Sequence, residues 1–409
     1  MALAAVAPVT ASVPFTAEPN PLPKPQVRVI SEFQEFLNLE PVWNDLVDRA
    51  GVTHPFLEHC WIRTWWECFG HGTLLHILVV SEGPRTLAIA PLIMSRTKMY
   101  GIPIRRLGFF YNSHVPRADF IVAHGRADAY ELIWKQIRAA YAWDVLQLCQ
   151  LTESSQTLGR LQQLAREDGL QTGLWKSGAS PRVQLGRGWD EYQQTLPAKH
   201  RSNLRNRFKR LNQVGPAELD TVTGGERRPA LLQEGLRLES AAWKGEAGTA
   251  ILADRDITRF YELLSQRAAA HGWLRLNFLR AAGRAVAFDY SLEYRNRIFL
   301  LKLGYDPEFS PYSPSNLLLA TALKQAFAQG VAEYDFLGEE AEWKRCWTSD
   351  VQSNYWLYVF RRSVKGRLLY GLKFQLVPRL RNSSMLKQIT GVIAGLRAAV
   401  MVKSGRPNR

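Results

Sequence analysis

One segment of the 409-residue chain joins a polar loop to the start of an apolar helix. It spans residues 304–316 and carries Tyr305, Asp306, Tyr312, Ser313, Ser315 and Asn316. Ser313 is a favourable N-cap and Pro314 a favourable first helical residue, so the pattern predicts a strand, a loop and a helix N-terminus. The free N–H groups of such a terminus can bind a phosphate or an oxyanion. A well-capped helix that binds nothing is the structural alternative.

A lysine between two tryptophans follows a short predicted strand. The strand, 332–336, contains Asp335, and Trp343-Lys344-Arg345-Cys346-Trp347 comes soon after it. An ammonium group between two indole rings would attract a carboxylate, a phosphate or a developing oxyanion, because apolar walls strengthen the attraction. The alternative is a surface lysine between two core tryptophans.

Two carboxylates are candidates for proton transfer. Glu239 lies near the end of a predicted helix, 229–243, which leads into Trp243 and Lys244. It could serve as a general base towards an amine, or it is a solvated helix residue. Asp289 falls in the apolar run 286–290, where an unpaired carboxylate is costly. Asp289 therefore either faces the open side of a sheet or lines a site.

Alternating strands and helices must position these residues. In the first half the pattern predicts helices at 31–51, 56–69, 127–141 and 155–167, and strands at 27–30, 74–80, 86–94, 105–110, 120–123 and 145–148. In the second half it predicts helices at 192–211, 229–243, 254–270 and 314–329, and strands at 274–280, 286–294, 298–304, 332–336 and 355–360. The first helix has a capping box at Ser31 and Gln34 and a bend at Pro41. The hairpins 77–93 and 278–292 resemble each other, which indicates a duplicated unit of about 160 residues.

The order of elements predicts an α/β protein with mixed sheets. We expect a disordered leader at 1–25, an N-terminal half at 26–187, a C-terminal half at 188–362 that holds the site, and a basic tail at 363–409. The net charge is +15, but residues 361–409 hold 12 Lys/Arg and no Asp/Glu. The first 360 residues are therefore nearly neutral, so the overall charge does not argue for nucleic-acid binding by the folded core.

Missing motifs exclude several classes of protein. Four cysteines without a C-x-x-C pair exclude a disulfide scaffold and a zinc ribbon, and no metal cluster is visible. The signatures of dinucleotide oxidoreductases, P-loop ATPases, zinc proteases and α/β-hydrolases are absent. No Lys or Arg precedes Lys24, and the apolar run 389–402, interrupted by Arg397, is too short to span a bilayer. We therefore expect a cytoplasmic protein.

Two basic segments could bind an acidic partner. Residues 199–210 carry six Lys/Arg and no acidic residue beside a narrow apolar seam, which predicts an amphipathic helix. It could bind the phosphates of a tRNA or an acidic helix of a carrier protein, or it is a solvated face. In the tail, apolar residues from Met385 to Val400 recur every three or four positions beside basic ones. Such a helix suits the inner membrane surface or packs back on the core.

Three motifs taken together resemble one family. They are W-K-G-x-x-G-T-A at 243–250, G-Y-D-P-x-F-x-x-Y-S-P-x-N-L-L-L at 304–319, and Y-D-F-L-G followed by W-K-x-x-W at 334–347. With these motifs the chain resembles the CelD/BcsL-like acetyltransferases over roughly residues 27–360. That group is a branch of the GNAT superfamily and is akin to the FemABX aminoacyltransferases.

The resemblance implies two tandem GNAT-like halves. In such a fold two neighbouring parallel strands splay apart, here 298–303 and 332–336, so that a pantetheine arm can enter while the helix from Pro314 binds a pyrophosphate. The implied reaction is attack of an amine on a thioester or activated ester, with proton removal by a base. Backbone N–H groups or Lys344 would stabilise the oxyanion. Lys344 is the residue carried over from the aminoacyltransferases.

The residue assignments follow from the motifs and the resemblance together. The catalytic candidates are Lys344, Glu239, Asp289 and Tyr305; the donor-binding candidates are Tyr312, Ser313, Ser315, Asn316 and Lys302; the substrate-binding candidates are Trp243, Lys244, Asp306, Asp335 and Trp343. No metal and no tightly bound cofactor is expected. The usual GNAT pyrophosphate loop, Gln/Arg-x-x-Gly-x-Gly/Ala, has no counterpart in 309–316, which contains no glycine. Acyl-CoA such as acetyl-CoA, an acyl carrier protein and aminoacyl-tRNA therefore all stay open as donors.

Three functions are compatible with the sequence. The first is an N-acyltransferase that acts on an amine, such as an amino or nucleotide sugar of a surface polysaccharide. The second is an aminoacyltransferase that uses aminoacyl-tRNA. The third is a non-catalytic scaffold at the membrane surface that keeps the sheet without the chemistry.

Overall fold

The computed structural model describes residues 24–140, 143–186, 188–241 and 250–382. Trp243 and Lys244 lie outside the described residues, as do nearly all of the predicted leader and the amphipathic pattern at 385–400. No helix of the described residues is long and apolar enough to cross a membrane.

The helices of the described residues are Phe33–Asn38 (α1), Glu40–Arg49 (α2), His59–Phe69 (α3), Asp128–Ala139 (α4), Gln156–Glu167 (α5), Trp189–Thr195 (α6), Ala198–Val214 (α7), Arg228–Ala241 (α8), Arg255–Ala270 (α9), Pro314–Ala328 (α10), Glu342–Arg345 (α11), Val364–Tyr370 (α12) and Val377–Asn382 (α13). Short 3-10 turns cover Pro55–Leu57, Ile251–Ala253 and Pro307–Tyr312, and a π-helical stretch, Gly371–Leu376, links the last two helices. Most predicted helices are confirmed to within a few residues.

The strands are Gln26–Ile30 (β1), Thr73–Leu75 (β2), Ile77–Glu82 (β3), Arg85–Ala90 (β4), Leu92–Met99 (β5), Ile102–Phe109 (β6), Ile121–Val122 (β7), Val145–Thr152 (β8), Gln171–Gln184 (β9), Ala217–Val222 (β10), Leu274–Ala281 (β11), Arg284–Tyr294 (β12), Arg297–Tyr305 (β13), Glu333–Asp335 (β14) and Val351–Phe360 (β15). They form a four-stranded sheet, β1-β3-β4-β7, and an eleven-stranded sheet, β10-β11-β12-β13-β14-β9-β15-β8-β6-β5-β2. The fold is a mixed α/β architecture, as predicted.

The same sequence of elements occurs in each half. An antiparallel meander ends in a strand, a helix crosses over, and the next strand returns parallel: β6, α4 and β8 in the first half, and β13, α10 and β14 in the second. The matched hairpins are present as β3–β4 and β11–β12, each with a tight turn at a left-handed glycine, Gly83 and Gly283. The tandem organisation is therefore confirmed.

Strands β9 and β15 join the two halves into one sheet. β9 pairs with β15 along Gln171–Pro181 and with β14 along Arg182–Gln184, while β15, which comes from the end of the second half, pairs with β8 of the first. The domain boundary predicted between residues 187 and 188 therefore comes just after β9, a strand that pairs with strands β14 and β15.

Prolines account for two differences from the predicted helices. The helix predicted at 192–211 is two helices, α6 and α7, because Pro197 keeps the preceding Leu196 in an extended conformation. The helix predicted at 31–51 is likewise two, with Pro41 in the first turn of the second. The capping box predicted at Ser31 and Gln34 is wrong, since Glu32 occupies the N-cap position of α1 and no side chain caps this helix.

Aromatic side chains pack the first half against the second. Trp61 of α3 contacts Phe260 of α9 with ring centroids 5.6 Å apart, and Phe56 contacts Phe299 of β13 at 5.4 Å. All four side chains are buried. Each large apolar side chain contributes about 2–3 kcal/mol on burial, so this contact fixes the relative position of the halves.

Candidate active site

Strands β13 and β14 diverge after three paired residues. The parallel register runs from Arg297 opposite Glu333 to Phe299 opposite Asp335, and β13 then continues to Tyr305 with β12 as its partner. Beyond Asp335 the chain turns away through Leu337 and Gly338, both with positive φ. The predicted splay of these two strands is confirmed, and it opens a wedge in the middle of the large sheet.

An apolar cleft opens on the α10 side of the wedge. It has a volume of about 400 Å³ and is lined by Leu303, Tyr305, Ser315, Asn316, Leu319, Glu339, Ala341, Trp343 and Lys344. Five of these residues are sequence candidates: Tyr305, Ser315, Asn316, Trp343 and Lys344. The cleft runs from the diverging end of β13 to the first turn of α10.

Lys344 holds the loop that forms one wall of the cleft. Its side chain is buried, and Nζ donates hydrogen bonds to the backbone carbonyls of Leu337 and Glu339. Burial lowers the pKa of Lys344 to about 8, while Asp335 and Glu339 act to raise it. An ammonium group has three N–H donors, and these two carbonyls accept from two of them.

The two tryptophans around Lys344 do not form the predicted clamp. Nζ lies 5.3 Å from the ring centre of Trp343, which faces the cleft. Trp347 packs its ring against His200 of α7 at 4.6 Å, within the core of the second half. Trp343 belongs to the helical turn α11, whereas Trp347 lies beyond the end of that turn.

Asp335 is a structural residue rather than a substrate ligand. Its carboxylate is fully buried, forms an ion pair with Arg117 of the first half, and accepts hydrogen bonds from the Ser180 hydroxyl and the Leu337 N–H. The sequence predicted this residue as part of the site. The structure places it behind the wedge, where it orients the loop that Lys344 also holds.

The start of α10 differs from the predicted cap. Ser313 occupies the N-cap position in a left-handed conformation, with φ of 48°, and its side chain makes no capping hydrogen bond. Its backbone carbonyl accepts from the N–H groups of Asn316 and Leu317. Tyr312 lies under the guanidinium of Arg210, 5.2 Å from the ring centre, and Asp306 pairs with Arg284 and caps the 3-10 turn. Tyr312, Ser313 and Asp306 therefore shape the loop beside the cleft.

A polar cavity lies on the opposite face of β13. It has a volume of about 240 Å³ and is lined by Tyr111, Ser113, His114, Val115, Pro116, Gln150, Ser177, Gly178, Tyr261, Leu301, Lys302, Leu337, Gly338, Glu339 and Asn354. Lys302, predicted to bind the donor, faces this cavity, because alternate residues of a strand point to opposite faces. Its ammonium lies 5.4 Å from the ring centre of Tyr261. Glu339 is exposed and lines both cavities.

The first half contributes to the polar cavity through the segment between β6 and β7. His114 of this segment is hydrogen-bonded through Nδ1 to the Tyr261 hydroxyl at 3.2 Å. Burial, aided by Lys302, lowers the pKa of His114 to about 4, so the imidazole is neutral near pH 7. Sequence reasoning missed this residue. The polar run Tyr111-Asn112-Ser113-His114 before Pro116 was the signal that could have found it.

Two predicted catalytic carboxylates lie outside both cavities. Glu239 is fully buried in α8, where its Oε2 accepts a hydrogen bond from the N–H of Ile251 at 3.0 Å. Asp289 is fully buried under α10 and accepts hydrogen bonds from Asn277 and Ser291. Asp289 therefore neither faces the open side of the sheet nor lines either cavity, because Asn277 and Ser291 satisfy its carboxylate within the core.

Asp289 makes stability depend on pH. Burial raises its pKa to about 7, although Ser291 and Asn277 act to lower it. The folded chain therefore holds a proton that the unfolded chain releases, and stability falls as pH rises from about 4 to about 7. We expect Asp289→Asn to increase the free energy of unfolding by a few kcal/mol at pH 8 and by much less at pH 4. Denaturant titrations at both pH values measure this, and an equal effect at both would contradict it.

Residues 198–345 match the family model described as Acetyltransferase (GNAT) domain. This match covers α7 to α11 and therefore includes β13, β14, α10 and Lys344. Over these residues the chain is similar to a GNAT acetyltransferase domain. The chain is an acyltransferase, and the matched region holds the wedge and the apolar cleft. No curated protein sequence matches the chain.

Solved structures support the architecture of this acyltransferase. FemX is 12% identical with a TM-score of 0.56, and the match covers 81% of this chain and 98% of FemX. The C-terminal domain of a putative lysylphosphatidylglycerol synthetase from Agrobacterium fabrum is 12% identical with a TM-score of 0.50, covering 82% and 95%. A conserved protein of unknown function from Bacteroides thetaiotaomicron is 11% identical with a TM-score of 0.50, covering 82% and 100%. At these identities the likeness concerns the fold.

Proposed function

We propose that the chain is an N-acyltransferase that takes its acyl group from a thioester in the apolar cleft and delivers it to an amine in the polar cavity. The observation that carries this is the wedge between β13 and β14, which has one cavity on each face. A thioester carbonyl seated at the wedge would be open to attack from the opposite face. Glu339, which lines both cavities, lies where the attacking amine must lose its proton.

The residues that line the two cavities suit a donor in the apolar cleft and an acceptor in the polar cavity. The cleft walls are largely apolar, as a pantetheine arm and an acyl chain require, and the first turn of α10 provides N–H groups for the donor phosphates. Lys344 supplies positive charge to the tetrahedral oxyanion. The other cavity is lined by hydroxyl, amide and imidazole groups, including Gln150 and Asn354, which can bind the hydroxyl groups of a sugar. An amino or nucleotide sugar is therefore the acceptor class we propose, in keeping with the CelD/BcsL-like motifs.

Thermal unfolding in the presence of candidate donors tests the proposal. We expect acetyl-CoA, a longer acyl-CoA or an acyl carrier protein to raise the melting temperature, because a ligand that binds only the folded state stabilises it. Ser315→Trp, which fills the mouth of the cleft, should abolish the shift. Ser31→Trp on the surface of the first half is the matched control and should keep it. A chain that no thioester stabilises would remove the donor assignment.

Aminoacyl-tRNA is the second donor that a specific observation favours. Near the C-terminal end of the basic helix α7, Arg210 lies over Tyr312 of the loop that leads into α10. A tRNA acceptor stem laid along α7 would place its aminoacyl ester near the wedge. The affinity for tRNA would then fall steeply as the salt concentration rises. Reversing the charge of Arg205 and Lys209 to Glu should reduce the slope of log affinity against log salt concentration by about one per lost phosphate contact. Salt-dependent tRNA binding that survives this double reversal would count against the tRNA donor.

A further inference from the structure

A cavity separate from the wedge lies where the two halves meet. It has a volume of about 470 Å³ and is lined by the segments 50–54, 117–127 and 152–156 of the first half, together with Arg182, Arg297 and Glu333. Arg297 and Glu333 are the first residues of β13 and β14, so this cavity lies at the paired end of the two strands. The wedge opens at their other end. We call the cavity between the two halves the arginine-lined cavity, because Arg117, Arg126, Arg182 and Arg297 all line it.

Two buried nitrogen atoms of this cavity have no hydrogen-bond partner among the described residues. They are Nε of Arg117 and Nδ1 of His54. Arg117 is only 5% exposed, so water reaches little of its guanidinium. A buried donor left unpaired costs about 1–3 kcal/mol, and native structures keep few of them. Both residues line this cavity, so a ligand seated in it could supply the partner that each nitrogen atom lacks.

The two unpaired nitrogen atoms limit which chemical groups a ligand of this cavity can present. Nε of Arg117 can only donate, so its partner must be an acceptor. Burial, aided by Arg117, lowers the pKa of His54 to about 3, so its ring is neutral and can donate or accept through Nδ1. Arg297 and Arg182 also line the cavity. They share Glu333 at 3.1 Å and 3.8 Å, and Arg182 pairs with Asp350 as well. Guanidinium groups bind phosphate and carboxylate oxygens with particular strength.

Arg117 also connects this cavity to the loop at the wedge. Its Nη2 forms the ion pair with Asp335, and Asp335 in turn accepts the N–H of Leu337. The carbonyl of Leu337 binds Lys344. A ligand on the Nε side of Arg117 would thus contact the same side chain that, through Nη2 and Asp335, positions the loop held by Lys344.

We propose that the arginine-lined cavity is a second binding site, which takes a phosphate- or carboxylate-bearing small molecule on Arg117 and His54. This site is distinct from the donor and acceptor cavities at the wedge and does not depend on the proposed reaction.

Isothermal titration of the full chain with inorganic pyrophosphate and with succinate tests the site. We expect one of the probes to bind at millimolar concentration or below, and its identity tells phosphate from carboxylate chemistry. Arg117→Lys keeps the charge beside Asp335 but loses Nε, and should weaken binding about tenfold. His54→Phe keeps the ring shape and should also weaken binding, which covers the case in which the lysine variant does not fold. Arg138→Lys, which pairs with Asp168 on the surface, is the matched control and should bind as the wild type does.

A parallel titration of Ser315→Trp distinguishes this site from the cleft at α10. Binding that persists in Ser315→Trp supports the arginine-lined cavity, whereas binding lost in that variant assigns the probe to the donor cleft and overturns the proposal. Equal affinity in Arg117→Lys, His54→Phe and the wild type would also overturn it, as would a wild-type chain that binds neither probe.

Discussion

Replacing Lys344 with methionine is expected to lower kcat/KM for the thioester donor by about 100- to 1,000-fold, the usual cost of losing one group that stabilises an oxyanion. Methionine keeps the length and apolar stem of lysine, so the cleft stays filled while the charge is removed. The measurement is steady-state kinetics with a set of acyl-CoA donors and an amino-sugar acceptor. A loss confined to kcat would place the interaction in the transition state.

The pH dependence of activity distinguishes charge stabilisation from support of the loop. Because the pKa of Lys344 is lowered to about 8, the ammonium form dominates below that pH and is lost above it. We therefore expect activity to fall as pH rises through about 8. Lys344→Arg keeps the charge at higher pH and should move this alkaline decline upward, whatever its effect on the maximum rate. A methionine variant with normal kcat and only a raised donor KM would assign Lys344 to holding the carbonyls of Leu337 and Glu339.

Removing Arg117 is expected to destabilise the folded chain by about 3–5 kcal/mol, since it leaves the buried Asp335 carboxylate without its counter-charge. The variant Arg117→Met keeps most of the side-chain volume. Denaturant unfolding, followed by circular dichroism, measures the change in the free energy of unfolding.

The double variant Arg117→Met/Asp335→Asn is the control for this ion pair. Asparagine removes the charge but can still accept the Leu337 N–H, so the double variant should recover a large part of the lost stability. The exposed pair Arg138 and Asp168 offers a comparison, and Arg138→Met should cost less than about 1 kcal/mol. A double variant no more stable than Arg117→Met alone would show that the pair does not act through charge compensation.

Local patterns were enough to predict most elements of the fold. Periodicity, together with glycine and proline positions, located α3, α4, α5, α9 and α10 closely, and the matched turns at Gly83 and Gly283 revealed the duplication. The long strand β9 was missed, because Gly173, Gly178 and Pro181 read as a loop. This strand is stable only because β14 and β15 pair with it on either side. Strand formation of this kind depends on distant partners that no local window contains.

The residues of the apolar cleft that follow one another along the chain could be predicted from local patterns. Tyr305, Ser315 and Asn316 on one segment, and Trp343 and Lys344 on another, are recognisable because a strand, a loop and a helix start are local patterns. Which carboxylates line a cavity depends instead on contacts between distant segments. Asp289 and Asp335 have the same chemistry as Glu339, yet hydrogen bonds and an ion pair satisfy the first two in the core. The tertiary structure also brings His114 and Arg117 of the first half towards the wedge, because packing between distant segments, not spacing along the chain, sets those distances.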